Sequence, residues 1–153
     1  MRSKPSNLLP VNFELSKEFD DIASQIESSN DNFYITGKAG SGKSTLLSYF
    51  RSITKKKVAV LAPTGVAAIR IKGQTIHSFF RLPPKVIQTK HIRKVWDEEI
   101  LLNLEVLIID EISMVRADVL DAIDYSLRVH RKKLTKPFGG VQLVVFGDLY
   151  QLP

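Results

Sequence analysis

The chain has no cysteine, one tryptophan and two methionines among its 153 residues. Without cysteine it can form neither a disulfide nor a thiolate metal site. No apolar run approaches the roughly 18 residues that a membrane-spanning helix needs. The opening residues, 1 to 5, lack the long apolar segment of a signal peptide. We therefore expect no membrane association and a cytoplasmic address, meaning the bacterial cytosol or, in a eukaryote, the nucleus or mitochondrion.

The length and the apolar fraction of 44% are ordinary for one globular domain. Such a domain is large enough to bury roughly two thirds of the surface of its unfolded chain. The net charge of +6 is compatible with a polyanionic partner. Charge alone does not distinguish a nucleic-acid-binding protein from the many basic proteins that bind none.

Residues 37–44 read Gly-Lys-Ala-Gly-Ser-Gly-Lys-Ser and fit the phosphate-loop pattern Gly-x4-Gly-Lys-Ser. Several backbone N–H groups must approach the phosphates closely, and residues without a β-carbon allow that wrapping. Lys43 then supplies a cation to the β- and γ-phosphates, and the Ser44 hydroxyl can ligate Mg²⁺. The pattern predicts ATP and Mg²⁺ as cofactors; the alternative is a glycine-rich turn. The predicted nucleotide contacts are Gly37, Ala39, Gly40, Ser41, Gly42, Lys43, Ser44 and Thr45.

Hydrophobic periodicity predicts strands that alternate with helices. Leu15, Phe19, Ile22 and Ile26 form the stripe of a first helix. Predicted strands cover residues 32–36, 58–61, 106–109 and 141–146, and predicted helices follow the phosphate loop, cover residues 66–69 and about 88–102, and carry a stripe of Val119, Ile123 and Leu127. Trp96 is predicted as a core residue of the helix at 88–102. This alternation predicts an α/β doubly wound domain with a mainly parallel sheet and helices on both faces.

Asp110 and Glu111 directly follow the apolar strand at 106–109. The carboxyl ends of parallel strands are where α/β sheets bind ligands. A nucleotide hydrolase needs one carboxylate to hold Mg²⁺ and another to orient the attacking water, so we assign Asp110 to the metal and Glu111 to the water. The alternative is an acidic helix start, which the helix dipole also favours.

Residues 147–151 repeat this arrangement after the last strand, and Gln151 could donate its amide to a γ-phosphate. Spacing alone leaves open a glutamine that is simply solvated in a loop.

Together these segments resemble the first motor domain of the PIF-type (petite integration frequency) DNA helicases, a superfamily-one group that includes RecD and Dda. The resemblance spans about residues 13–153. It rests on the segments Tyr34-Ile35-Thr36-Gly37 through Thr45, Ala62-Pro63-Thr64-Gly65-Val66-Ala67-Ala68, Thr75-Ile76-His77-Ser78-Phe79, Ile109-Asp110-Glu111-Ile112-Ser113-Met114, and Phe138-Gly139-Gly140 with Gly147-Asp148-Leu149-Tyr150-Gln151-Leu152-Pro153.

The resemblance implies a RecA-like phosphate-loop NTPase fold and ATP-driven translocation along single-stranded DNA, 5′ to 3′, with no small-molecule substrate besides ATP. It also implies that the strand before Gln151 lies between the phosphate-loop strand and the Asp110 strand, which places Gln151 beside the γ-phosphate. The catalytic residues would be Lys43, Glu111 and Gln151. Contacts to DNA are implied for Pro63, Thr64, Gly65, His77 and Ser78.

Several of these residues have a structural alternative. Thr64 can be an ordinary helix cap, and His77, beside two phenylalanines, can be a packed core residue. Phe19 stands where family members often carry a glutamine that reads adenine, and its place on an apolar stripe favours core packing. The basic run from Arg128 to Lys136 can lie along nucleic acid or form a solvated loop.

The chain ends at Pro153, two residues after Gln151. We expect residues 1–12 to be a poorly ordered lead-in and residues 13–153 to be the first motor domain of a longer helicase, without its second motor domain and with little activity of its own. One alternative is a nucleotide-gated DNA-binding module that is not a processive motor. A third hypothesis is a small-molecule or nucleotide kinase. Such a kinase should carry an arginine-rich lid for its acceptor phosphate, and the sequence shows no such lid.

Overall fold

The computed structural model describes residues 8–93, 97–148, 150 and 151. The helices are α1 (Lys17–Ser28), α2 (Lys43–Ile53), α3 (Gly65–Arg70), α4 (Ile76–Phe80), α5 (Glu98–Asn103) and α6 (Ala117–His130). The strands are β1 (Phe33–Thr36), β2 (Val58–Ala62), β3 (Gln74–Thr75), β4 (Val106–Ile109) and β5 (Gln142–Gly147). No helix in the described part of the chain is long and apolar enough to cross a membrane.

The five strands form one sheet in the order β1-β5-β4-β2-β3, and every neighbouring pair is parallel. The last strand, β5, therefore lies between the phosphate-loop strand β1 and the Asp110 strand β4, which confirms the order implied by the family resemblance. Because all the strands run in one direction, the residues that follow them meet at one edge of the sheet.

Helices cover both faces of the sheet, as predicted, and the alternation of side chains along each strand explains the two cores. In β4, Leu107 and Ile109 belong to a cluster with α4, α5 and α6, whereas Val106 and Ile108 belong to a cluster with α1, α2 and α3. All four of these side chains are fully buried. A strand covered on both faces reads as a continuous apolar run, which is why its position was predictable.

Two elements differ from the prediction. The single helix predicted at about 88–102 is wrong, because residues 89–91 form a 3₁₀ turn and α5 begins only at Glu98. The two-residue strand β3 was not predicted; its backbone pairs with Leu61 and Ala62 of β2, and two residues carry no periodic signal. Leu15 lies outside α1 and is exposed. Trp96 and residues 1–7 of the predicted lead-in lie outside the described residues.

Candidate nucleotide site

The phosphate loop joins β1 to α2, and its backbone shape depends on glycine. Gly42 caps α2 with a φ of 86°, in the left-handed region that side chains other than glycine rarely adopt. A β-carbon built at Gly37 would lie 2.5 Å from the Ser41 hydroxyl oxygen, so the loop also closes tightly at its start. The Lys43 ammonium donates to the carbonyl of Gly37 and, at 3.1 Å, to that of Lys38. The lysine therefore lies inside the curve of its own loop.

The loop opens into a cavity of about 390 Å³ at the carboxyl edge of the sheet. The cavity brings together residues that follow three adjacent strands: the loop after β1, Asp110 and Glu111 after β4, and Gln151 after β5. One pocket thus brings together Lys43, Asp110 and Gln151, although the first and last of these are more than a hundred positions apart in the sequence. The lining residues are Ala39, Gly40, Ser41, Gly42, Lys43, Ser44, Thr45, Arg70, Asp110, Glu111, Asp148 and Gln151.

Asp110 and Glu111 differ in exposure although they are neighbours in sequence. The Asp110 side chain is 6% exposed and that of Glu111 is 29% exposed. Burial is the main cause that raises the pKa of Asp110 above its ordinary value, and the neighbouring Glu111 charge acts in the same direction. Glu111 has a φ of 54°, an uncommon conformation for a residue with a side chain, and it turns the chain out of the strand. Asp110 is therefore recessed and Glu111 stands nearer the opening.

Arg70 is a cavity residue that the sequence analysis missed. Its Nη2 group donates to Glu111 at 2.6 Å and to Asp110 at 3.4 Å, so one guanidinium bridges both carboxylates. The hydrogen bond to Glu111 is the main cause that raises the pKa of Arg70. The sequence offered only an indirect sign of this contact. Arg70 is the basic residue in the last turn of α3, the short helix after β2, and it comes near Asp110 and Glu111 because β2 pairs with β4.

Asp148 is a second cavity residue without an earlier assignment. It is buried, and its Oδ1 accepts a hydrogen bond from the Tyr150 backbone at 2.9 Å. The Asp148 carbonyl accepts from the Gln151 backbone at 3.2 Å. Asp148 therefore stabilises the turn that carries the exposed Gln151 to the rim of the cavity.

Phe19 packs on the phosphate loop. Its ring is partly buried against the α1–α2 core, and a β-carbon at Gly42 would lie 2.8 Å from its Cζ atom. This contact agrees with the core-packing interpretation of Phe19. Nearby, Phe13 stacks on Tyr49 with ring centroids 5.6 Å apart, and Tyr49 donates to Asp20 at 2.9 Å. The segment before α1 is thus anchored to α2 through Phe13.

The residues implied in DNA binding follow β2 and β3, at the other end of the same sheet edge. Ala62 pairs with Thr75, so the segment 63–65 and the start of α4, with His77 and Ser78, leave neighbouring strands. The Thr64 hydroxyl accepts from the Ala67 backbone at 3.2 Å, so this side chain caps α3. Gly65 and Ser78 are exposed and His77 is half-buried. The structure brings these residues together without assigning them a ligand.

The basic run after α6 is divided between structural and exposed side chains. Arg128 forms an ion pair with Asp124 at 2.8 Å and donates to the Leu134 carbonyl. The Arg131 guanidinium donates to the carbonyls of Gly139, Leu101, Leu102 and Leu104. Lys132, Lys133 and Lys136 are exposed. The two arginines therefore hold the chain around α6 together, and the lysines are left at the surface.

Oxygen donors of the kind Mg²⁺ prefers lie in the cavity: the Ser44 hydroxyl and the Asp110 carboxylate. Within the described ranges, no group of three or more His, Cys, Asp or Glu side chains could hold a metal ion. The donors in the cavity fit an Mg²⁺ ion that arrives with phosphate oxygens, not a metal centre built from protein ligands alone.

The chain is similar in sequence and in structure to known DNA helicases. The ATP-dependent DNA helicase PIF1 of Saccharomyces cerevisiae (strain YJM789) is 42% identical over 155 residues, which cover 91% of this chain and 17% of the yeast protein. The structure of Bacteroides Pif1 bound to ssDNA superposes with a TM-score of 0.83 at 46% identity, and covers 93% of this chain and 34% of that one. Bacteroides sp Pif1 in complex with ADP-AlF4 gives a TM-score of 0.84 at 46% identity and the same coverage.

The chain thus spans less than a fifth of the yeast protein and about a third of the two solved chains. The superposition confirms the predicted RecA-like α/β fold. The profile of the family described as PIF1-like helicase matches residues 11–153. Because that match covers nearly the whole sequence, and the fold and the order of the strands agree with it, the chain belongs to the PIF1-like helicase family.

Proposed function

We propose that this chain is the ATP-binding first motor domain, residues 13–153, of a longer DNA helicase that couples ATP hydrolysis to 5′-to-3′ movement along single-stranded DNA. The observation that carries the proposal is the convergence of the phosphate loop, Asp110, Glu111 and Gln151 on one cavity at the ends of three adjacent strands. The two Bacteroides structures, one in complex with ADP-AlF4 and one bound to ssDNA, support the same ligands for this chain.

Each cavity residue has a proposed task that suits its position. Lys43 and the loop N–H groups bind the β- and γ-phosphates, and Ser44 with the recessed Asp110 holds Mg²⁺, which would offset phosphate charge. Glu111, nearer the opening, orients the attacking water and takes its proton. Gln151 at the rim donates its side-chain amide to the γ-phosphate and so distinguishes ATP from ADP.

The proposed DNA contacts are the segment Pro63, Thr64 and Gly65 together with His77 and Ser78. The Thr64 hydroxyl is occupied as a cap of α3. The segment would therefore bind a DNA phosphate through the backbone N–H of the exposed Gly65. These segments lie at the same edge of the sheet as the ATP site.

The test of this proposal compares the 153-residue chain with the longer protein. We expect the chain alone to bind Mg-ATP weakly and to hydrolyse it barely, since an arginine from a second motor domain contributes about 10³- to 10⁵-fold in turnover in related sites. The longer protein should show DNA-stimulated hydrolysis and unwinding, with single-stranded DNA affinity that falls as salt rises. Fast DNA-stimulated turnover by the chain alone would contradict the division into two motor domains. Nucleotide-dependent DNA binding without unwinding by the longer protein would favour a switch over a motor.

A further inference from the structure

Arg70, at the end of α3, bridges Glu111 and Asp110, the two carboxylates that follow β4. Its side chain is 54% exposed although both of its partners are less so, and it lines the same cavity as the phosphate loop. Neither the phosphate-loop pattern nor the paired carboxylates require an arginine at this place.

The charges of the cavity indicate what Arg70 can bind. Among the described lining residues, Lys43 and Arg70 are the cations, and Asp110, Glu111 and Asp148 are the carboxylates. A triphosphate with one Mg²⁺ ion adds further negative charge, so phosphate binding needs every available cation. Arginine suits this task because its planar guanidinium can hold two oxygens of a phosphate at once.

The backbone that carries Arg70 is held firmly, whereas its guanidinium, among the residues that the structure describes, donates to the two carboxylates alone. Arg51 of α2 donates to the carbonyl of Ile71 at 2.6 Å and to that of Lys72 at 3.3 Å. At Gly73 a β-carbon would overlap the Val60 carbonyl, so the chain passes directly against β2. Exchange of hydrogen-bond partners by Arg70 therefore requires rotation of a half-exposed side chain and no movement of the backbone.

We propose that Arg70 is a γ-phosphate sensor: when Mg-ATP binds, its guanidinium leaves Asp110 and Glu111 and donates to the γ-phosphate. This inference rests on the proposed ATP site. Mg²⁺ at Asp110 would repel the guanidinium, and the γ-phosphate offers it new acceptors in the same cavity. Release of Glu111 from the ion pair then leaves that carboxylate free to orient water only when a triphosphate is present.

The test measures nucleotide affinity, which does not depend on a second motor domain. Calorimetry on the 153-residue chain with Mg²⁺ compares the slowly hydrolysed analogue ATPγS with ADP for the wild type and for Arg70→Gln. We expect the affinity for ATPγS to fall about 10-fold, as expected for a lost charge-assisted hydrogen bond, and that for ADP to change less than about 2-fold. Arg70→Lys, which keeps the charge, should recover part of the loss for ATPγS.

Arg51→Gln is the matched control, because Arg51 touches the same segment but not the cavity, and it should alter both affinities equally. Equal losses for ATPγS and ADP in Arg70→Gln, or no loss for either, would overturn the sensor. If Arg70→Gln does not fold, as judged by circular dichroism, Arg70→Lys decides: the sensor requires that it weaken ATPγS more than ADP relative to the wild type, and equal losses for the two nucleotides refute it. If the wild type binds neither nucleotide, the proposed ATP site fails and the sensor fails with it.

Discussion

The Phe19 ring lies directly over Gly42: a β-carbon at position 42 would come within 2.8 Å of the Phe19 Cζ atom. The first helix therefore braces the phosphate loop at Gly42, the residue that caps the start of α2. Gly42 also has a positive φ, so two separate constraints favour glycine at this position. The contact explains how an apolar stripe outside the loop contributes to the shape of the loop.

Gly42→Ala should destabilise the fold and weaken nucleotide binding. The positive φ alone costs an alanine about 1–2 kcal/mol, and the overlap with Phe19 adds to that cost. Urea unfolding monitored by circular dichroism would measure the change. In the double variant Phe19→Ala/Gly42→Ala the overlap disappears, so the added cost of the glycine change should fall to that of the backbone alone. Gly65→Ala is the control, because a β-carbon there meets no atom within 4 Å; equal costs at both positions would contradict the prediction.

Lys43→Ala should weaken Mg-ATP binding by about 10- to 100-fold, the range expected for loss of hydrogen bonds from a charged group. Calorimetry with ATPγS would measure the affinity. Lys38→Ala is the matched control, since Lys38 is an exposed lysine of the same loop that offers Lys43 only its backbone carbonyl. Comparable losses in the two variants would show that general positive charge, and not the position of Lys43, determines the affinity.

Glu111→Gln in the longer protein should preserve ATP binding and reduce hydrolysis by about 10²- to 10⁴-fold, because an amide cannot accept the proton of the attacking water. A phosphate-release assay in the presence of single-stranded DNA would measure turnover, and calorimetry would measure binding. Glu99→Gln, a change at an exposed carboxylate of α5, should leave both unchanged. Normal turnover in Glu111→Gln would remove Glu111 from the proposed role.

Asp110→Asn should raise the free energy of unfolding at pH 7 while it impairs Mg²⁺-dependent nucleotide binding. Burial raises the pKa of Asp110 in the folded state above its ordinary value of 3.8, so the wild type loses stability as the pH rises from 3.8 through that raised pKa. The gain in the variant should appear as a higher melting temperature at pH 7.

The gain in Asp110→Asn should vanish below pH 3.8, where the wild-type carboxyl is protonated in both states. Thermal melts at several pH values would show this convergence. Asp121→Asn, at an exposed carboxylate, should show no such pattern. A variant less stable than the wild type at pH 7 would mean that the lost contact with Arg70 outweighs the burial of the charge.

Arg131→Ala should destabilise the domain by roughly 2–4 kcal/mol, because it removes the hydrogen bonds from one guanidinium to four backbone carbonyls. Denaturant unfolding would measure the loss. Lys133→Ala, a change at an exposed lysine of the same basic run, should alter stability little. If Lys133→Ala reduced single-stranded DNA affinity and Arg131→Ala did not, the run would contact DNA through its lysines. Equal stability of the two variants would contradict the structural role of Arg131.

Local sequence determined the parts of this protein that depend on neighbours in the chain. The phosphate loop, the buried strand at 106–109 and the α6 stripe each follow from residue types at fixed spacing, since backbone conformation and hydrophobic periodicity act over a few residues. The assignment of Asp110 and Glu111 to a ligand-binding edge followed from the strand that precedes them.

Only the tertiary structure decided the features that depend on which strands become neighbours. The register of β2 with β4 brings Arg70 to Asp110 and Glu111, and pairing with β2 turns residues 74–75 into a strand. The same holds for Arg131, whose partners at 101–104 come from a separate segment. Such contacts join residues 13 to 41 positions apart, a separation over which periodicity carries no information and only the packed chain fixes the distance.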